Sequence, residues 1–221
     1  MKRIFGRVAA AVLLVPMSAG FLRAQSTWTG GLQLEAAAPQ DVMKDYFGSG
    51  AGFGLVLHHG AGPVALRFDG TWTHFGEHYA QRHLGGTGPG IGIVSSASFA
   101  TVLAGPSAGV SMAGFQAGVA VQGGGGYVTS TGSTVLPGDP SQVMRSNTYG
   151  TFTWAAAARA SLSHRVGPGR ASVGYSLVML GQTDFLREYN LPIGVISGIY
   201  LYPTPYQPMF TTLSVAMTFG L

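Results

Sequence analysis

The sequence predicts an all-β protein, an up-and-down antiparallel transmembrane β-barrel of about eight strands behind a cleaved signal peptide. Three observations predict it. Segments along the chain alternate bulky and small residues with period two, and their bulky faces carry almost no charge. The connections between them are short and long in strict alternation. The composition agrees: 221 residues, 35 glycines, 9% charged and 46% hydrophobic, with 11% aromatic residues that point to a packed structure rather than a low-complexity polymer.

The first residues read as a signal peptide. Lys2, Arg3 and Arg7 form a basic start, Val8 to Val15 an apolar run, and Ala24 a small residue suited to cleavage before Gln25. The apolar run is too short for a membrane anchor and is broken by Pro16. Leu22, three residues before the cut, leaves the site open by a few positions. Residues 1–24 are therefore expected as signal peptide and 25–221 as the barrel. The twelve basic residues include Lys2, Arg3, Arg7 and Arg23, and without those four the remainder balances the eight acidic ones. The mature chain is formally neutral, so the basic precursor gives no reason to expect a nucleic-acid partner. The absence of cysteine excludes disulfides and thiolate metal sites.

After residue 24 no stretch approaches the roughly 20 apolar residues of a membrane helix. Trp28, Gly30, Leu32, Leu34 and Ala36 alternate with Thr29, Gly31, Gln33 and Glu35. Ala51, Phe53, Leu55 and Leu57 alternate with Gly50, Gly52, Gly54 and Val56. Val64, Leu66, Phe68, Gly70 and Trp72 alternate with Ala65, Arg67, Asp69, Thr71 and Thr73. Around Phe99 to Ser111 the pattern is less regular. Phe99, Thr101 and Leu103 suggest its outward face, and Pro106, which cannot donate to a ladder, predicts a bulge. Phe115, Ala117, Val119 and Val121 alternate with Gln116, Gly118, Ala120 and Gln122. Phe152, Trp154, Ala156, Ala158, Ala160 and Leu162 alternate with Thr153, Ala155, Ala157, Arg159 and Ser161. Ala171, Val173, Tyr175, Leu177 and Met179 alternate with Ser172, Gly174, Ser176 and Val178. The last segment, Met209 to Leu221, alternates Met209, Thr211, Leu213, Val215, Met217, Phe219 and Leu221 with a mostly small face. It is expected to close the ring against the first and seventh strands.

Tight turns are expected at His59–Pro63, Met112–Gly114 and Arg165–Gly169, and long loops at Ala37–Ser49, Phe75–Ser98, Thr129–Thr148 and Gln182–Gln207. Aromatics near the strand ends suggest two interfacial girdles, Trp72, Tyr127, Tyr149 and Tyr206 on the long-loop side and Trp28, Phe115 and Phe219 on the other. A soluble sandwich would need polar outward faces, which these strands lack.

Four charges fall on predicted strands with inward parity: Glu35, Arg67, Asp69 and Arg159. Two acids and two bases balance, as buried charges in a narrow lumen must. They are expected to form a structural ion-pair plug, with a gate that exchanges partners as the sharper alternative. The inward glycines Gly50, Gly52, Gly54, Gly118 and Gly174 suggest water-filled space above or below that layer. Gly105-Pro106-Ser107-Ala108-Gly109 matches G-x-S-x-G, but it lies in a strand with no following helix, so chance accounts for it. His74, His78 and His83, with Glu77, share a long loop; nothing fixes a ligand geometry, and no metal or cofactor is expected. The glycine runs Gly85–Gly92 and Gly123–Gly126 contain no strict G-x-G-x-x-G and no phosphate cradle is read there.

Alternating strands, alternating loop lengths and the apolar-alternating end together resemble the small outer-membrane barrels of the OmpA transmembrane-domain and OmpX type, over Ser26 to Leu221. The resemblance rests on architecture and implies a bacterial outer-membrane location, with outer-membrane lipid as its solvent. Leu213, Val215, Met217, Phe219 and Leu221 look like the family's signal for the barrel-assembly machinery, ending in leucine where the family usually has phenylalanine. The role implied is structural or in surface interaction, with the long loops meeting extracellular ligands and no catalysis. A narrow channel for ions or small solutes is the alternative. Small barrels also include lipid A-modifying enzymes, but the chain has no H-x-S pair of the deacylase type, and His58 and His164 fall near the short-turn end.

Overall fold

The computed structural model describes residues 27–61, 63–83, 90–136, 139–190 and 199–221. The expected signal peptide and most of the Gly85–Gly92 run lie outside them. Ten strands follow in order: β1 (Thr27–Pro39), β2 (Gly50–Ala61), β3 (Val64–His83), β4 (Gly90–Met112), β5 (Phe115–Leu136), β6 (Asp139–Val166), β7 (Gly169–Leu180), β8 (Thr183–Asn190), β9 (Ile199–Tyr206) and β10 (Met209–Gly220).

Eight of them close a barrel in which each of β1 to β7 pairs with its sequence neighbour and β10 bonds to both β7 and β1. All pairs are antiparallel. The closing strand is in register with both neighbours: Ser214 lies opposite Glu35 on one side and Gly174 on the other. A closed ring leaves no unpaired edge, which is what a strand structure in lipid requires. β8 and β9 form a separate two-stranded hairpin between β7 and β10.

The barrel's outer surface is apolar where a soluble protein's would not be. Leu32, Leu34, Phe53, Leu55, Val102, Val119, Phe152, Trp154, Val173, Tyr175, Leu213 and Val215 are all exposed. A continuous uncharged apolar surface of this extent is a lipid-facing one. It is bordered by exposed Trp72, Tyr127 and Phe152 at one end and Trp28, Phe115 and Phe219 at the other. Beyond the first border the outward residues become hydroxylic: Thr131 bonds Thr148 at 3.1 Å and Ser133 bonds Ser146 at 3.0 Å across β5 and β6. Tyr149 and Tyr206 do not belong to the girdle as expected. Tyr149 shares the inward parity of Ala155 and Ala157 on β6 and donates to Asp184 at 3.3 Å, and Tyr206, at the end of β9, packs against the apolar end of the lumen.

The short connections are tight turns. Ala113 and Gly114 carry φ of 48° and 86° between β4 and β5, the left-handed pair a two-residue hairpin turn requires, and Gly167 supplies φ of 57° between β6 and β7. The long connections hold more structure than the sequence predicts. Between β1 and β2 a 3-10 helix spans Asp41–Asp45. The expected loops at Phe75–Ser98 and Thr129–Thr148 are largely continuations of β3 to β6, and the one at Gln182–Gln207 contains β8 and β9. These stretches lack an apolar alternation, the signal by which a strand is read, because their outward face meets water instead of lipid.

β4 also corrects two expectations. Phe99, Thr101 and Leu103 are buried in the lumen, while Val102 is exposed to lipid. Pairing of Phe99 with Thr73 and Leu103 with Asp69 puts them beside inward residues of β3. Pro106 makes no bulge: the β4–β5 register is the same at Ala104↔Gly123 and Ser107↔Ala120. The irregularity in the β3–β4 pair falls between Phe75 and His78 instead.

Candidate functional site

β3 lays out the lumen along the barrel axis. Its inward residues, from the external end down, are Phe75, Thr73, Thr71, Asp69, Arg67 and Ala65, and they run through three levels of different chemistry.

The external level is apolar. Phe75 meets Phe99 and Phe210 edge-on, each with ring centroids 5.2 Å apart, and Phe99 and Phe210 lie 5.4 Å apart. Such edge-on contacts are the favoured geometry for aromatic rings. Met43 and Phe47, from the connection that carries the 3-10 helix, are buried against this cluster. Burial and the nearby Asp41 carboxylate hold the Tyr206 phenol above its ordinary range. Sequence reasoning missed this cluster. Its legible signs were the parity of Phe210 on β10 and of Phe75, which continues the inward series Arg67, Asp69, Thr71 and Thr73.

The middle level brings the four predicted charges onto one layer. Glu35, Arg67, Asp69 and Arg159 are each at least nine-tenths buried. Arg67 and Asp69, two apart on one strand and so on one face, make a two-pronged pair: Nε to Oδ2 at 2.8 Å and Nη2 to Oδ1 at 2.9 Å. Arg159 Nη2 stands 4.0 Å from the same carboxylate. Its Nη1 donates to Gln33 Oε1 and Ser214 Oγ, both at 3.2 Å. Glu35 accepts from Thr73 Oγ1. Gly52 makes room for it: a Cβ there would come within 2.9 Å of Glu35 Oε1 and 2.5 Å of the Trp72 carbonyl. Arg67, Asp69 and Arg159 thus form one contact cluster in the lumen, while Glu35 is held by Thr73.

The lowest level is hollow. A cavity of about 380 Å³ opens at the short-turn end, lined by Arg67, Arg159, Arg165, Arg170 and His58 with serine and threonine hydroxyls and no carboxylate. Arg170 donates to Gln116 Oε1 and to Ser163 Oγ at 3.1 Å. Arg165 and Arg170 were not picked out from the sequence, although each shares the parity of an inward neighbour, Ser163 and Ser172.

The remaining candidates scatter. Ser107 of the G-x-S-x-G stretch sits in β4 and donates to the Ala65 carbonyl at 3.0 Å. His74 stacks on Trp72 and bonds Ser98 on the outside of the barrel, and the side chain of His83 lies outside the described residues. Among the described residues no three His, Cys, Asp or Glu side chains are grouped to hold a metal ion. His164 contacts the Gly114 carbonyl at the surface, and Leu213, Val215, Phe219 and Leu221 are exposed along β10, with Met217 half-buried.

The closed ring, its uncharged outer band and the asymmetry of its connections define a membrane-spanning barrel of the outer-membrane type. No family model and no curated protein matches the chain. Solved structures similar to it include Neisserial surface protein A, at 11% identity over 87% of this chain and 96% of that one, with a TM-score of 0.45. Ail, the attachment invasion locus protein of Yersinia pestis, is 11% identical over 88% and 97%, with a TM-score of 0.43. The outer membrane protease OmpT from Escherichia coli is 9% identical over 89% and 94%, with a TM-score of 0.43. The fold assignment rests on the pairing register of the chain itself.

Proposed function

We propose that the protein is a non-catalytic outer-membrane barrel with a structural or surface-interaction role, presenting its external strands to extracellular ligands. The observation that carries this reading is the filling of the lumen at two successive levels, an aromatic one above a paired-charge one. An eight-stranded ring is only just wide enough to be filled by side chains, and here both levels are occupied across the bore. Above the apolar band, β3 to β6 continue as polar strands, hydroxyl-faced on β5 and β6, with β8 and β9 following, a surface offered to the outside. The outward residues Leu213, Val215, Met217, Phe219 and Leu221 serve as the strand read by the barrel-assembly machinery, an assignment supported by their shared face on the closing strand.

Conductance in planar bilayers tests the reading. Wild-type protein is expected to give no openings, and Arg159→Ala none either, because the aromatic level stays in place. Regular openings in wild type, or their appearance in Arg159→Ala, would favour the narrow channel. A change in lipid A mass that depends on the protein would overturn the non-catalytic reading.

A further inference from the structure

We infer that the cavity at the short-turn end of the lumen is a binding site for a phosphate-sized oxyanion. The charges there are unbalanced in a way the rest of the barrel is not. Glu35 and Asp69 are engaged in the middle level, and every other acidic residue from Asp41 onward lies on external structure: Asp41 and Asp45 on the 3-10 helix, Glu77 at the irregularity of β3, Asp139 at the start of β6, and Asp184 and Glu188 on β8. Arg165 and Arg170 consequently have no carboxylate among the cavity's lining residues.

They also face each other. Arg165 and Arg170 are direct cross-strand partners on β6 and β7, exposed at the cavity's mouth, and like charges set opposite each other weaken a sheet. Deeper in, Arg159 lines the same cavity with a side chain that is nine-tenths buried and adds its positive charge to the wall. Ser161, Ser163 and Ser172 add hydroxyl donors to the wall. The complement of this set is a compact anion with several acceptor oxygens, for which paired arginines are the usual receptor. Because the levels above are filled, the site is a blind pocket that binds rather than conducts.

The oxyanion has two sources, free inorganic phosphate and the phosphate of a lipid headgroup in the adjoining leaflet. The membrane-extracted protein in a phosphate-free maltoside detergent, titrated with inorganic phosphate and followed through the arginine Nε–H NMR signals, tests the site. Saturable shifts of Arg159, Arg165 and Arg170 are expected. Arg165→Gln with Arg170→Gln should weaken phosphate at least about tenfold, while Lys44→Gln, on the external helix, should leave it unchanged. Short-chain phosphatidylglycerol is the second arm: shifts of the same signals that phosphate reverses identify the headgroup, and shifts with phosphate alone identify the free anion. Absence of saturable shifts with both probes, or equal weakening by Lys44→Gln, would overturn the proposal. Heat-modifiable gel mobility confirms that each variant is folded, and if the double variant is not, the wild-type signals and Arg170→Gln alone decide.

Discussion

The two ends of the lumen are enclosed by the same ring of eight strands and yet are opposites. At the external end Phe75, Phe99 and Phe210 meet in the middle and Met43 closes over them. At the other end small residues such as Gly118, Ser161 and Ser172 line the wall and leave a cavity. The difference teaches that bore is set by strand number, whereas filling is set by the volume of the inward side chains. Charge follows the same division. The middle level pairs its acids and bases, and the lower level has arginines with no acid beside them.

The largest effects are expected where filling and pairing are complete. Asp69→Ala should destabilise the barrel by about 3–5 kcal/mol in denaturant unfolding, because it leaves Arg67 and Arg159 buried without their carboxylate. A loss below about 1 kcal/mol would mean that water reaches that level from the cavity. Phe99→Ala should cost a similar amount, about 3–5 kcal/mol, through the void left among three rings. A small loss would show that the external end is loosely filled and not a seal.

The division also depends on inside and outside being rightly assigned on β10. Leu213→Arg, on the lipid face, should cost about 2–4 kcal/mol near the bilayer midplane. Ser214→Asp should cost less, since its carboxylate would replace a hydroxyl 3.2 Å from Arg159. Equal costs would exchange the two faces. The smallest effect is expected in the hollow end. Gly118→Ala places a Cβ 3.3 Å from the Ser161 hydroxyl with the cavity beside it, and stability should stay within about 1 kcal/mol of wild type. A larger loss would mean that the lower wall is as closely packed as the upper.

Most of the barrel was legible because period-two alternation survives wherever one face meets lipid. Arg67 and Asp69 could be assigned to one inward face from their spacing alone. β4 was misread because size was taken to mean lipid contact, whereas Phe99 and Leu103 point inward to fill the external end, and small Ala100 and Ala104 lie outside with Val102. The external parts of β4 to β6 were read as loops because serine, threonine and glycine are frequent there, and that of β3 because its histidines, Glu77, Gln81 and Arg82 break the apolar alternation. Their strand state comes from cross-strand hydroxyl pairs and a continuing register, which a single strand does not display.

The sequence by itself determined the period, and through it which side chains share a face, that the outer band is uncharged, and that four charges turn inward in balance. Only the closed ring decided which of those inward residues meet. Arg159 reaches Gln33 and Ser214, far away along the chain, and Arg165 stands opposite Arg170 at the mouth of an open cavity, because register and closure bring the strands together. Alternation is a local property of the backbone, whereas contact across a lumen depends on how eight strands are staggered around it.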